Sequence, residues 1–177
     1  MNYIIRKEKQ GELPLIKDLI KTSFENVSIS SHDEHLLVER LHFSDTFIPE
    51  LSLVAEDSSK NLAGYILLTQ IKIKSDDQEY TSLSLAPLAV HPKYQSMGIG
   101  SHLIIEAHKI AKDLGYTSIM VLGHKDYYPR FGYRKAAEFN ICFPFDVPQE
   151  YCMAIELQPN ALKDIEGTVC YPDCFFE

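Results

Sequence analysis

Residues Gln95-Ser96-Met97-Gly98-Ile99-Gly100 stand between an apolar, strand-like run, Leu83 to Val90, and an amphipathic pattern from Ile99 to Leu114. Two glycines at a strand-to-helix junction let the main chain turn sharply and come close to a ligand. The first amides of the helix point outward without an internal partner, at the positive end of its dipole. The hexapeptide therefore predicts an anion site made of backbone, suited to phosphate or pyrophosphate. A Walker-type loop needs Lys-Ser or Lys-Thr after the last glycine, and Ser101-His102 stand there instead. A dinucleotide fingerprint needs a small residue where Leu103 stands, and a strand leading directly into the first glycine; His91 to Met97 intervene. A purely structural glycine turn is the remaining reading of the hexapeptide taken alone.

Upstream of the loop, Met1 to Lys7 reads as a strand. Glu12 to Phe24 reads as a helix with Pro14 in its first turn and Leu15, Ile16, Leu19, Ile20 and Phe24 as its apolar face. Ser31 is placed to cap a second helix running to about Phe43, with Glu34 at the capping-box position. Leu51 to Glu56, Leu62 to Lys74 and Tyr80 to Val90 are then three consecutive strands with short turns, which implies antiparallel pairing. Pro87 lacks the amide that a central ladder needs, so a bulge or a local loss of pairing is expected there. After the Ile99 helix, which Gly115 ends, Thr117 to Leu122 reads as a buried strand and Asp126 to Phe131 as a short helix or turn. Strands are expected near Ala137 to Phe143 and Tyr151 to Leu157. The tail from Pro159 to Glu177 carries no readable element.

The chain has 177 residues, enough for one domain with a single substantial core, and the expectation is one domain over 1–177 with 159–177 as a C-terminal extension. A net charge of −8 argues against a general binder of nucleic acid or anionic membrane and favours a cationic or amine-bearing substrate. The N-terminus lacks a signal peptide's apolar core, and no apolar run approaches the roughly 18 residues of a membrane span, so a cytoplasmic protein is expected. Of the cysteines, Cys170 and Cys174 look like half a metal site, but no second Cys or His pair lies near them, and free thiols are the plainer reading. No metal is expected.

The order of a strand with Pro87, then Leu88-Ala89-Val90-His91-Pro92, then Tyr94-Gln95-Ser96-Met97-Gly98-Ile99-Gly100 and a helix closely resembles the central motif of the GNAT acyltransferase superfamily. Val121-Leu122-Gly123-His124 followed by Tyr127-Tyr128-Pro129-Arg130-Phe131-Gly132-Tyr133 resembles that family's later strand and aromatic turn. The resemblance covers residues 1 to about 157. It implies an α+β fold, a mixed and mostly antiparallel sheet of about seven strands with helices on both faces.

The resemblance also implies acetyl-CoA as co-substrate. Its pyrophosphate would sit on the amides of Gln95, Ser96, Met97, Gly98, Ile99, Gly100 and Ser101, and its pantetheine arm along Leu88, Ala89 and Val90. An amide near Ala89 would meet the thioester oxygen. His124 and Phe131 would lie near the cofactor. Tyr128 matches the family's tyrosine beside the sulfur, and a phenol pKa of about 10, above a thiol's roughly 8.5, suits a general acid. Tyr127 reads as packing. Two candidates for the base stay open: Glu56 at the end of a strand, and the helix face of His35, Glu39 and His42, which reads first as a solvated face and otherwise as a substrate-binding one. The expected function is N-acetyl transfer to a primary amine in a ternary complex, by a monomer or homodimer. A non-catalytic acyl-CoA-binding module and a nucleotide enzyme are the alternatives.

Overall fold

The computed structural model describes residues 2–27 and 31–176; Met1 of the first expected strand and Glu177 of the tail lie outside them. In chain order the elements are β1 (Tyr3–Lys7), α1 (Leu13–Phe24), α2 (Glu34–His42), β2 (Phe47–Asp57), β3 (Leu62–Lys74), β4 (Glu79–Val90), α3 (Ile99–Asp113), β5 (Ser118–Leu122), β6 (Arg134–Lys135), β7 (Ile141–Cys142), β8 (Cys152–Glu156) and β9 (Gly167–Cys170). Among the described residues the strands form one nine-stranded sheet. Seven of them run in the order β1-β2-β3-β4-β5-β8-β6, and β9 and β7 join beside β3. Pairing is antiparallel throughout, except between β4 and β5 and between β7 and β9.

The central strands read as unbroken apolar runs because both of their faces are covered. Leu53, Ala55, Ile66 and Leu68 point to α3, where they pack with Leu103, Ile104, Ala107 and Ala111. Val54, Tyr65 and Leu67 point the other way, against Ile16, Leu19 and Ile20 of α1 and Val38 and Leu41 of α2. A fully buried side chain of this size contributes roughly 1.5–3 kcal/mol, so the two layers together hold the sheet. Farther along that second face, Ile71, Ile73 and Met120 are covered by Leu162, Val169 and other residues of the C-terminal third.

Pro87 creates the bulge its chemistry predicts. Ile66 pairs with Leu88, but Leu68 pairs with Leu85, so β4 holds an extra residue there, and the Ala86–Pro87 peptide is cis. An inserted residue reverses which face each later side chain meets. Ser82 and Ser84 share a face with Ile71 and Thr69, yet past the bulge it is Ala89 that sits opposite Tyr65. Leu88 and Val90 turn instead toward α3. Pairing of β4 with β5 is confined to Leu83 with Ile119 and Ser84 with Met120. Beyond Ser84 the two strands part.

Several expectations need correction. Ser31 does not cap α2: the helix begins at Glu34 behind Asp33, with no side-chain cap, and ends at His42. The Ser31 hydroxyl is bonded to the Asp33 carboxylate, and His32 stands at φ 62°, outside the helical region, so the helix cannot start sooner. Leu15 is exposed, not part of the buried face of α1. The strand expected over 137–143 shrinks to Ile141–Cys142, because Ala136–Phe139 forms a 3-10 turn that Asn140 ends at positive φ. The tail is ordered into β9 and a final 3-10 turn, Asp173–Phe175. Among the described residues no helix is long and apolar enough to cross a membrane.

Candidate functional site

Where β4 leaves β5, the chain crosses a 3-10 turn, Pro92–Tyr94, and enters α3 through the glycine loop. The turn is tied down by Tyr94, whose hydroxyl donates to Asp57 at 2.8 Å, and by Gln95, whose amide donates to the Val90 carbonyl at 3.3 Å. Ser96 and Gly98 take left-handed φ of 62° and 81°, and Gly98 is the residue before the first helical turn. The first helical bond comes from His102 N to Gly98 O. Consequently the amides of Ser96 through Ser101 carry no backbone hydrogen bond among the described residues, and they face outward at the positive end of a 15-residue helix.

These amides border a cleft of about 600 Å³. Leu88, Ala89 and Val90 form one wall and Gln95, Ser96, Gly98, Ile99, Gly100 and Ser101 another. Ser23 and Phe24 at the end of α1 and Val27 just beyond it, with Tyr94, Tyr127 and Arg130, complete it. The fit is tightest at Gly100, where any Cβ would lie 2.8 Å from the Tyr127 hydroxyl and 3.5 Å from Val90. Arg130 is the charged residue of the lining, its guanidinium 4.6 Å above the Tyr127 ring. A backbone anion cradle, one guanidinium and an apolar strand edge suit an elongated ligand with a phosphorylated end and an uncharged arm.

Of the residues named from the sequence, Met97 sits in the loop but turns to solvent, and His124 is exposed outside the cleft. Phe131 packs behind the lining against Tyr127, at 5.4 Å between ring centres. Tyr127, read as packing, lines the cleft, whereas Tyr128 is 8% exposed, covers Gly123 at the end of β5 and meets Tyr133 edge-on at 5.5 Å. The Tyr128 hydroxyl bonds to no described residue, and burial, with Tyr127 adjacent, pushes its pKa well above the ordinary phenol value.

Glu56 lies away from the cleft. Its carboxylate is bound by Arg6, by Lys60 at 2.9 Å and by Lys9 at 3.6 Å. Hydrogen bonds from Arg6 and Lys60 hold its pKa down at about 2, so it has almost no affinity for an amine's proton. The α2 face is also not one surface. His42 is buried against Phe47 and bonded to Glu8 at 2.8 Å, while Glu39 pairs with Lys17 at 2.6 Å. Neither His35 nor Glu39 lines the cleft, and among the described residues no carboxylate or imidazole does.

Arg130 and the end of α1 were missed from the sequence. Arg130 had a signal, a cation three residues after Tyr127 in an aromatic turn; the α1 residues had none, since only tertiary packing brings them across to β4. The cysteines are free, and among the described residues no cluster of three or more His, Cys, Asp or Glu side chains is arranged to hold a metal.

A family model described as the acetyltransferase (GNAT) family matches residues 14–133. The chain is 30% identical over 172 residues to an uncharacterized N-acetyltransferase, YhbS, of Escherichia coli K12, covering 97% of this chain and 98% of the relative. The crystal structure of a GNAT family N-acetyltransferase (YhbS) from Escherichia coli in complex with CoA superposes with a TM-score of 0.90 at 27% identity, over 100% of this chain and 93% of that one. A GNAT family acetyltransferase from Brucella melitensis in complex with acetyl-CoA gives 0.80 at 26% identity, over 98% of each chain.

Proposed function

We propose that this chain, which belongs to the acetyltransferase (GNAT) family, transfers an acetyl group from acetyl-CoA to a primary amine by direct attack within a ternary complex. The observation that carries the reading is the run of unbonded amides from Ser96 to Ser101, opening onto the same cleft as the free edge of β4. The pyrophosphate takes these amides and the Arg130 guanidinium, and the pantetheine arm lies along Leu88 to Val90. The solved relatives that carry CoA and acetyl-CoA support that choice of ligand.

Chemistry then follows from position. The amine nitrogen attacks the thioester carbon, a C–N bond forms and the C–S bond breaks, and the thiolate takes a proton. Holding both reactants in one site supplies most of the acceleration, and an amide of the free β4 edge meets the carbonyl oxygen as it becomes negative. Tyr128 serves as the acid: its phenol is kept protonated by burial, and its ring packs on Gly123 just past the end of β5. Tyr127 contacts the cofactor arm beside Gly100. With no base in the cleft lining, the amine gives its proton to water.

Titration calorimetry with CoA, followed by thiol release from acetyl-CoA over a panel of primary amines, tests the reading. CoA binding together with turnover is the expected outcome. Binding without turnover on any amine would instead support an acyl-CoA-binding module, and no binding at millimolar CoA would overturn both.

A further inference from the structure

A second group of chemistry-bearing side chains lies on the α1/α2 face of the sheet, beyond the cleft. Thr69 is fully buried, and its hydroxyl is without a hydrogen-bond partner among the described residues. A buried hydroxyl in that state is rare and marks a place where a water or a ligand group would supply the partner. Thr69 stands opposite Ser84 in the β3–β4 ladder, and Ser84 is the last residue of β4 that pairs with β5. Tyr171 stands beside the Ser84 side chain, with the Cys152 thiol nearby. Three hydroxyls thus gather where the two strands begin to part.

Aromatic rings gather around Tyr171. Tyr171 has Phe175 at 4.8 Å and Phe145 at 5.2 Å between ring centres, and Phe176 lies 6.1 Å from Phe145. The Arg40 side chain, donating to the Cys174 carbonyl at 2.8 Å, pins this segment to α2. The segment also reaches the cleft: Phe175 packs in the cluster that contains Ala89 and Phe24, and both of those line the cleft. The hydroxyl row therefore sits at the strand opening, on the side away from α3 and its phosphate cradle.

We propose that the Thr69, Ser84 and Tyr171 hydroxyls and the ring wall of Phe145, Phe175 and Phe176 form the acceptor side of this site and select a primary amine on a flat aromatic body, an arylalkylamine. The inference rests on the acetyl-transfer reading. Rings at these spacings accept a flat ligand ring edge-on or offset, and their faces attract an ammonium on its way in. The hydroxyls accept N–H bonds from the amine, which gives the orphaned Thr69 oxygen a partner. A polyamine would call for a line of carboxylates, and this wall is built of rings and hydroxyls.

Initial rates with phenethylamine, spermidine and glycine, with CoA affinity measured in parallel, test the proposal. Phenethylamine is expected to show the highest kcat/KM. Phe175→Ala is expected to raise its KM about tenfold with CoA affinity unmoved, and Phe175→Tyr to restore it. Phe176 is 60% exposed, so Phe176→Ala is tolerated by the fold; it is expected to raise KM in the same direction by a smaller factor, and it decides the matter if Phe175→Ala does not fold. A preference for spermidine or glycine, or an unmoved KM for phenethylamine in the variants, overturns this inference and leaves acetyl transfer standing. If CoA binds and no amine is acetylated, the acetyl-transfer reading itself falls, and this inference with it.

Discussion

Tyr127 and Tyr128 are neighbours in the chain with opposite environments, and the difference assigns them different work. In the proposed site a hydroxyl against Gly100 would meet the cofactor arm, whereas a phenol under Gly123, shielded from water, stays protonated at neutral pH. Replacing Tyr128 by Phe removes the donor and leaves the ring, and the hydroxyl has no described partner to lose. We expect kcat to fall about 100-fold with little change in the KM for acetyl-CoA or in Tm. Steady-state kinetics and a thermal melt check this; an unaltered kcat would remove Tyr128 from the mechanism. At the same scale Glu56 shows how a residue of the right type is disqualified by its company, since three cations leave its carboxylate no basicity.

At the scale of the element, the start of α3 separates folding from binding at two glycines one residue apart. Gly98 has open space around it but a φ of 81°, so Gly98→Ala acts through the backbone and should lower stability by about 1 kcal/mol. Gly100 is helical and buried, and a methyl there meets the Tyr127 hydroxyl at 2.8 Å. Alanine suits a helix better than glycine, and that hydroxyl is the free end of a side chain that can move. Gly100→Ala is therefore expected to hold or raise Tm while weakening CoA binding about tenfold by displacing Tyr127 into the cleft. Denaturant melts and CoA calorimetry on both variants separate the effects, and equal loss of CoA affinity without any stability difference would contradict the assignment.

Across the whole molecule, α3 is fastened to the far end of the sheet through His108, whose Nε2 is 2.9 Å from the Tyr133 hydroxyl. Burial lowers the His108 pKa to about 4, from an ordinary value of about 6.5. The folded state thus binds this proton less well than the unfolded state does. Its contribution to stability is complete above about pH 6.5 and is lost progressively as the pH falls to about 4, on the order of 3 kcal/mol in all. Urea melts between pH 7 and pH 4 should show this acid loss, and His108→Gln, which keeps a partner for Tyr133, should flatten it over that window. An identical slope in the variant would show that other groups carry the acid sensitivity.

The longer strands, the three helices, the bulge at Pro87 and the glycine loop were legible along the chain, because each depends on periodicity or on the backbone chemistry of single residues. The antiparallel pairing of β2, β3 and β4 followed from their short turns, while the mixed sheet and its two covered faces were implied by the family resemblance. β6 and β9 were not legible, since both exist through partners distant in sequence with little local pattern to announce them, and of the strand read over 137–143 only the two residues of β7 remain. The cleft residues of the loop and of β4 could be named in advance because the ligand contacts they offer are backbone groups. Which tyrosine faces the cleft, how Arg130 and the end of α1 enter it, and why Glu56 cannot act as a base were decided by packing. Burial and the charges of neighbouring strands set those properties, and they belong to no stretch of sequence taken singly.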